Sequence, residues 1–345
     1  MKSTFDEKYT VETFKRLVAV DSTTSKCDDI ERLVVEMCKE LGYEPLLTHK
    51  GGVIVDMGGE GNPLVVTAHL DDIGLMVRHI NNDGTLKVVP IGGLYPSYSV
   101  MENVRVYTRD GKVYTGVICR NPNSPHVSEE ELRKTPGEYD KDVRIVLDEP
   151  VKSREDAEKL GITTGDIIAL YPRTEVVNGY IKSRFVDDKA AVAILFNAMK
   201  YAKENNIKFN RKVYFYFAEY EEIGHGTSYL PDGVKDVLAI DIAPVGDEQT
   251  SDERKVSIFC KDSRFPYHYE MTNELRSVAK ENDIDFVMDV FTPHYGTDCD
   301  TSIVAGYDIR HAAIGFGTAN SHGYERTHVD GLKQTYNLLL AYLLK

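Results

Sequence analysis

The chain has 345 residues, enough for one large α/β domain and a smaller one, and 42% of them are hydrophobic, so a full core is available. A net charge of −14 argues against nucleic acid or an anionic membrane as a partner. The opening MKSTFDEKYT lacks the apolar core of a signal peptide, and no run approaches the ~18 apolar residues of a membrane span.

The five cysteines (Cys27, Cys38, Cys119, Cys260, Cys299) are scattered and show no CxxC spacing. That pattern suits free thiols in a reducing cytoplasm better than disulfides or a cysteine zinc site.

The spacing predicts a helix over 9–20, ending at Asp21-Ser22-Thr23. Asp28 or Asp29 can cap a second helix whose apolar positions are Ile30, Leu33, Val34, Met37 and Leu41, with Gly42 at its C-terminal end. Residues 44–49 and 53–57 read as strands on either side of Gly51-Gly52. The wholly apolar run LVVTA (64–68) suits a parallel strand covered on both faces. It ends in His69-Leu70-Asp71-Asp72. His69 and Asp71 share a face in an extended chain, and a metal-binding His commonly gives its second ring N–H to a carboxylate. The competing reading is an ordinary surface HxD.

From 76 to about 179 short β-like runs dominate, at 86–90, 104–108, 113–119 and 143–147. Turns such as Asn82-Asp83-Gly84 separate them, which suits a small β-barrel. A helix-like piece over 153–160 carries a Ser-x-x-Asp capping pattern. The polar stretch 121–140 reads as a loop without chemistry. We read 78–178 as an inserted β-rich domain, and 1–77 with 179–345 as the domain that carries the chemistry.

Asp187-Asp188-Lys189 opens a long helix with an apolar face of Ala190, Val192, Ala193, Leu195, Phe196 and Met199. Helix capping is the alternative role for its acidic start. The strand-like VYFYFA (213–218) runs straight into Glu219, Glu221 and Glu222. Adjacent carboxylates at the end of an apolar strand are costly unless something compensates them. The run VLAI (237–240) ends at Asp241. Strands at 255–259 and 285–290 flank a helix at 267–281, and Gly296-Thr297-Asp298 forms a turn. His311 starts a last apolar strand over 311–316, followed by Ser321-His322-Gly323-Tyr324-Glu325 and a closing amphipathic helix.

His69, Glu221-Glu222, Asp241 and His322 thus each follow a short apolar strand, and Asp187 sits at a helix start. In open α/β sheets ligands bind at the carboxyl ends of the strands. Two histidines with several carboxylates and no cysteine suit Zn²⁺, Co²⁺ or Mn²⁺. The set exceeds what one metal needs, which points to two metals sharing a carboxylate. One carboxylate should stay off the metals to take a proton from water, and the Glu221-Glu222 pair could divide those roles.

These motifs resemble the glutamyl aminopeptidase family of dinuclear metallo-aminopeptidases, which includes the tetrahedral TET peptidases. The carrying stretches are AHLDDIGLMV (68–77), FVDDKAA (185–191), EYEEIG (219–224), AIDIAPVGD (239–247) and YGTDCDTS (295–302). The resemblance implies a doubly wound α/β peptidase domain with a mixed, largely parallel sheet, plus an inserted barrel-like domain that mediates assembly. It implies that Asp187 bridges the two metals, with His69 and Asp241 completing one site and Glu222 and His322 the other. Glu221 would be the general base and Asp71 the orienter of His69.

The implied cofactors are two divalent ions per subunit, Zn²⁺ foremost, with Co²⁺ or Mn²⁺ as options. The implied substrates are short peptides trimmed at the N-terminus, and the implied assembly is a homo-oligomer, commonly a dodecamer built from dimers. Two departures stand out. His322-Gly-Tyr-Glu325 is one residue shorter than the family's His-Ser-x-x-Glu, which leaves His328 as a rival ligand, and Lys189 stands where Arg is commoner.

Other readings remain open on the residues alone: a carboxypeptidase or N-acyl amino-acid deacylase on the same scaffold, a catalytically silent metal-binding scaffold, or a glycosidase, which would leave the histidines without a role. His294 and Cys299 flank the Gly296 turn and are secondary candidates for substrate contact, and Glu219 reads as a supporting or solvated residue.

Overall fold

The computed structural model describes residues 3–122, 124, 126, 128 and 133–345, so part of the polar stretch 121–140 lies outside the described residues. Contacts divide the chain into two units: residues up to Val20 with Cys27–Asp71 and Arg173–Lys345, and Asp21–Lys26 with Asp72–Pro172.

The strands in chain order begin with β1 (Leu46–Leu47), β2 (Val53–Gly58) and β3 (Leu64–His69). Those of the second unit are β4 (Gly74–Ile80), β5 (Leu86–Ile91), β6 (Asn103–Tyr107), β7 (Val113–Arg120), β8 (Val143–Leu147) and β9 (Ile167–Leu170). The first unit resumes with β10 (Glu175–Val177), β11 (Tyr180–Ser183), β12 (Val213–Ala218) and β13 (Asp236–Pro244). It ends with β14 (Val256–Lys261), β15 (Phe286–Val290), β16 (Arg310–Thr318) and β17 (Glu325–His328).

In the first unit eight strands form one mixed sheet in the order β1-β2-β12-β3-β13-β16-β14-β15. Its centre, β12-β3-β13-β16, is parallel. Every residue of β3 is buried, which is why its sequence shows no alternation. The helix Val186–Glu204 packs on β3 and β13 and is buried along most of its length. Phe196 stacks on Phe217 of β12 at 5.0 Å between ring centroids. Burying each such ring contributes roughly 1.5–3 kcal/mol. The one amide inside that helix, Asn197, donates to Thr10 Oγ1 at 2.7 Å, so the polar group costs little.

In the second unit six strands close a barrel in the order β4-β5-β8-β7-β6-β9. Asp21 belongs to it because Arg105 Nη2 and Tyr107 Oη donate to its carboxylate at 2.6 and 2.5 Å.

Several elements differ from the sequence reading. The stretch 44–49 yields only the two-residue β1, whose side chains are exposed. The second helix spans Asp28–Glu40 and its N-cap is Cys27, which makes no side-chain cap; Asp28 and Asp29 lie in the first turn, where the helix dipole favours them. Gly296-Thr297-Asp298 opens the helix Asp298–Val304, because Thr297 and Asp300 close a capping box. β13 continues past Asp241 to Pro244, since β16 pairs with it as far as Thr318. Among the described residues no helix is long and apolar enough to cross a membrane.

Candidate metal centre

β3 stops at His69, which stands opposite Ala218 at the end of β12. The chain after β12 turns through Tyr220 in the left-handed region (φ 67°) into a short turn of 3-10 helix, Glu221–Ile223. Asp71 holds that turn: its Oδ1 accepts the Glu221 N–H at 3.0 Å and its Oδ2 accepts the Glu222 N–H at 3.3 Å. The Asp71 carbonyl oxygen is 3.0 Å from His69 Nδ1, whereas its carboxylate is 3.7 Å away. The carbonyl can only accept, so Nδ1 carries a proton, which leaves Nε2 as the ring nitrogen on the side of Asp187. Asp71 therefore orients His69 through its backbone and the glutamates through its side chain.

Asp187 enters the long helix with non-helical torsions (φ −74°, ψ 103°). Its N–H donates to Glu325 Oε2 at 3.1 Å, and Glu325 Oε1 accepts the His322 N–H at 3.0 Å. Asp241 projects from β13 beyond Ala239, where the pairing with β3 ends and that flank opens. Gly315 is required opposite it, because a β-carbon there would stand 1.9 Å from the Asp241 carbonyl oxygen.

These elements converge. Asp187 Oδ1 is 3.1 Å from His69 Nε2, and Asp187 Oδ2 is 3.7 Å from His322 Nε2. Glu222 Oε2 is 3.5 Å from His322 Nε2. One ligand atom from each of His69, Asp187 and Asp241 falls within 4.8 Å of the others, and so does one from each of Asp187, Glu222 and His322. Glu221 belongs to neither group, although its Oε2 is 3.8 Å from His69 Nε2.

Burial, aided by neighbouring acids, pushes the carboxyls of Glu221, Glu222 and Asp241 well above the usual range. Burial also opposes charge on Asp187, but its hydrogen bond to His69 wins and holds it low. So many buried acids around two imidazoles take up protons unless positive charge is added among them, and with it they stay ionised. Imidazole nitrogens and carboxylate oxygens, two histidines in all, fit zinc, cobalt or manganese.

All seven residues singled out in the sequence meet here. The rival His328 does not: it caps the last helix by accepting the Asp330 N–H at 3.0 Å, and its ring lies 4.7 Å from that of Tyr180. His294 lines the cavity, while Cys299 is fully buried and lies 3.0 Å from Thr297 Oγ1. Glu219 is buried, and burial pushes its carboxyl up to about 8. Sequence reasoning gave no role to Glu325, which it named only as the end of the shortened His-Gly-Tyr-Glu stretch, nor to Asp188, whose Oδ2 accepts the His69 N–H at 3.2 Å. A cavity of about 480 Å³ opens over the cluster, with Arg264, Tyr295 and Thr297 also in its lining.

Residues 51–338 match the M42 glutamyl aminopeptidase family. The chain belongs to that family. As an M42 member it is an aminopeptidase, a hydrolase of peptides, and M42 peptidases are metallo-enzymes. It is 37% identical over 338 residues to YhfE of Bacillus subtilis, a protein named as an aminopeptidase, covering 97% of each chain. Among solved structures, the aminopeptidase APDkam598 of the archaeon Desulfurococcus kamchatkensis is 25% identical with a TM-score of 0.85, over 98% of this chain and 95% of that one. The TET1 peptidase of Pyrococcus horikoshii shares the fold at 23% identity with a TM-score of 0.84, over 97% of this chain and 99% of that one. The M42 fold thus spans both units of the chain.

Proposed function

We propose that this M42 aminopeptidase works through a dinuclear centre. His69 and Asp241 would hold one ion, Glu222 and His322 the other, and Asp187 both. The observation that carries this reading is the Asp187 carboxylate, with one oxygen toward each histidine. When bound, two such ions polarise the scissile carbonyl and acidify a water shared between them.

Glu221 is the general base. It stands beside His69 without belonging to either ligand group, and the Asp71 carboxylate fixes its backbone. It takes the proton from the attacking water and returns it to the leaving amine, so that no net proton is lost in the cycle. Asp71 also fixes the His69 ring. The cavity over the cluster has room for the first residues of a short peptide. Zinc is the first candidate metal by donor type, with cobalt and manganese next.

The Pyrococcus horikoshii TET1 peptidase can assemble into a tetrahedron or a large octahedral shell. We extend a homo-oligomeric assembly, a dodecamer built from dimers, to this chain, with the inserted barrel (78–178 in the sequence reading) as the contact module. Exposed Tyr95, Tyr98 and Met101 give the barrel unit apolar surface for such contacts. The free cysteines among the described residues suit a cytoplasmic setting.

Metal add-back tests the reading. The protein is stripped with chelator, reloaded with Zn²⁺, Co²⁺ or Mn²⁺, and assayed on aminoacyl anilides beside N-acetylated controls, with metal content measured in parallel. Two ions per chain and release from free-amine substrates alone are expected. Release from blocked substrates would instead assign a deacylase, and two bound ions without turnover would assign the silent scaffold. Light scattering at matched concentrations reads the assembly.

A further inference from the structure

We propose that Lys50 is a positioning residue for the catalytic base: it clamps both ends of the turn that carries Glu221 and so sets where that carboxylate stands. The proposal rests on the reading of Glu221 as the general base. Lys50 lies at the tip of the β1–β2 hairpin, where the Thr48 N–H donates to the Gly52 carbonyl at 3.1 Å and the Gly51 N–H to the Thr48 carbonyl at 3.3 Å. This tip is pressed against the start of the catalytic turn. A β-carbon on Gly51 (φ 98°) would stand 2.1 Å from Glu219 Oε2, so only glycine allows the approach.

The turn is a closed loop: the His225 N–H donates to the Tyr220 carbonyl at 2.9 Å, and Glu221–Gly224 lie between them. Lys50 Nζ engages both closing residues. It stands 5.5 Å from the centre of the Tyr220 ring, and it donates to the His225 carbonyl. The same ammonium donates to the Gly226 carbonyl at 2.7 Å and to Ser228 Oγ at 3.0 Å, and it stands 2.9 Å from His225 Nδ1. Burial lowers the ammonium, while the carboxylates of Asp298, Asp71 and Glu219 favour its charge. The segment it holds is tied on another side to Asp298. A β-carbon on Gly226 would stand 1.7 Å from Asp298 Oδ1, and Thr227 Oγ1 donates to the Asp298 carbonyl at 2.5 Å. Asp298 Oδ2 in turn accepts from Thr67 Oγ1 at 2.8 Å, on the strand that carries His69.

Asp71 thus grips the N–H groups of Glu221 and Glu222, and Lys50 grips the ends of their turn. In the loaded enzyme Glu222 is also held by its ion, whereas Glu221, in neither ligand group, depends on the turn. A misplacement of about 1 Å can cost roughly 100-fold in rate. Loss of the clamp should therefore fall on kcat. Lys50→Met keeps the aliphatic stem and removes the donors. It is made in wild type and in Glu221→Gln, with Lys50→Arg beside it, and kcat, KM and metal content are measured on a free-amine anilide. Lys50→Met should lower kcat about tenfold with KM and metal content unchanged. Lys50→Arg, a cation with donors in a different shape, should recover part of the loss. In the Glu221→Gln background Lys50→Met should cost less than about twofold, because a group that acts through Glu221 then has no base to place. Hydrogen exchange without substrate should quicken over 219–228 and stay unchanged elsewhere.

The proposal is overturned if Lys50→Met keeps the wild-type kcat, or if its loss comes with lost metal or a raised KM. It is equally overturned if the losses from Lys50→Met and Glu221→Gln multiply, the result expected of a residue that acts independently of the base. Near-normal turnover in Glu221→Gln alone would instead remove the base reading, and exchange over 219–228 would still read the clamp by itself.

Discussion

The carboxylate of Glu325 accepts the backbone N–H of Asp187 at 3.1 Å. Its other oxygen accepts the backbone N–H of His322 at 3.0 Å. One buried side chain thus sets the position of Asp187 and of a histidine from a different loop. Glu325→Gln leaves one acceptor oxygen and turns an NH₂ group toward a backbone donor. Groups that position metal ligands typically cost 10–100-fold in affinity or activity when altered. We expect Glu325→Gln to weaken binding of the metal on the His322 side by about that factor. Metal content against free-metal concentration checks it, and unchanged stoichiometry at limiting metal would exclude the role.

Glu221→Gln keeps the shape of the turn, because Asp71 grips the backbone N–H of residue 221 and not its side chain. Turnover should fall by about 10²–10⁴ as the proton acceptor is lost. Both metals should still bind, since Glu221 belongs to neither ligand group. The check is kcat beside metal content, and a variant with near-normal turnover would remove Glu221 from its role.

Asp236 is almost fully buried at the start of β13. It accepts from Arg211 Nη2 at 2.7 Å and from Arg310 Nε and Nη2 at 2.8 Å each. Removing one partner of such a group leaves charge uncompensated, at a cost of about 3 kcal/mol. The arginines are partly exposed, so screening reduces that figure. Asp236→Asn should therefore lower the urea midpoint clearly while leaving metal content intact, a split that denaturation curves and metal analysis would show.

His311 gives the fold an acid limit. Burial pushes its ring down to about 4; Asp262 partly offsets this, and His268 adds to it. The unfolded chain binds a proton below pH ~6.5, while the folded one resists until pH 4. Stability is thus whole above pH ~6.5 and declines as pH falls toward 4, by about 3 kcal/mol in all. In His311→Gln that decline should be missing. Urea midpoints from pH 7.5 to 4 should show the gap between the two proteins changing through this window, and a constant gap would exclude His311 as the cause.

Much of the site was legible because its residues interrupt apolar runs. His69 after LVVTA and Glu221-Glu222 after VYFYFA stand out, since a carboxylate or imidazole beside a buried strand needs a reason. Asp241 was read at a strand end, yet it lies inside β13. Only pairing decides this: β16 follows β13 to Pro244, while β3 leaves at Ala239. Glu325 was read only as the end of a shortened motif and not as a positioning group, because polar residues in turns look alike until the turn closes on a partner.

The amino-acid sequence by itself determined the chemical kind of the site, the run of strands and helices that carries it, and the family to which its ordered motifs belong. Periodicity and residue type are local properties, and local properties are what a sequence displays. The tertiary structure alone decided that β12 inserts between β2 and β3, that one oxygen of Asp187 turns to His69 and the other to His322, and that His328 is spent on capping a helix. Those facts depend on strand order and register, which are set by how buried faces pack across the whole chain and leave no mark within any one segment.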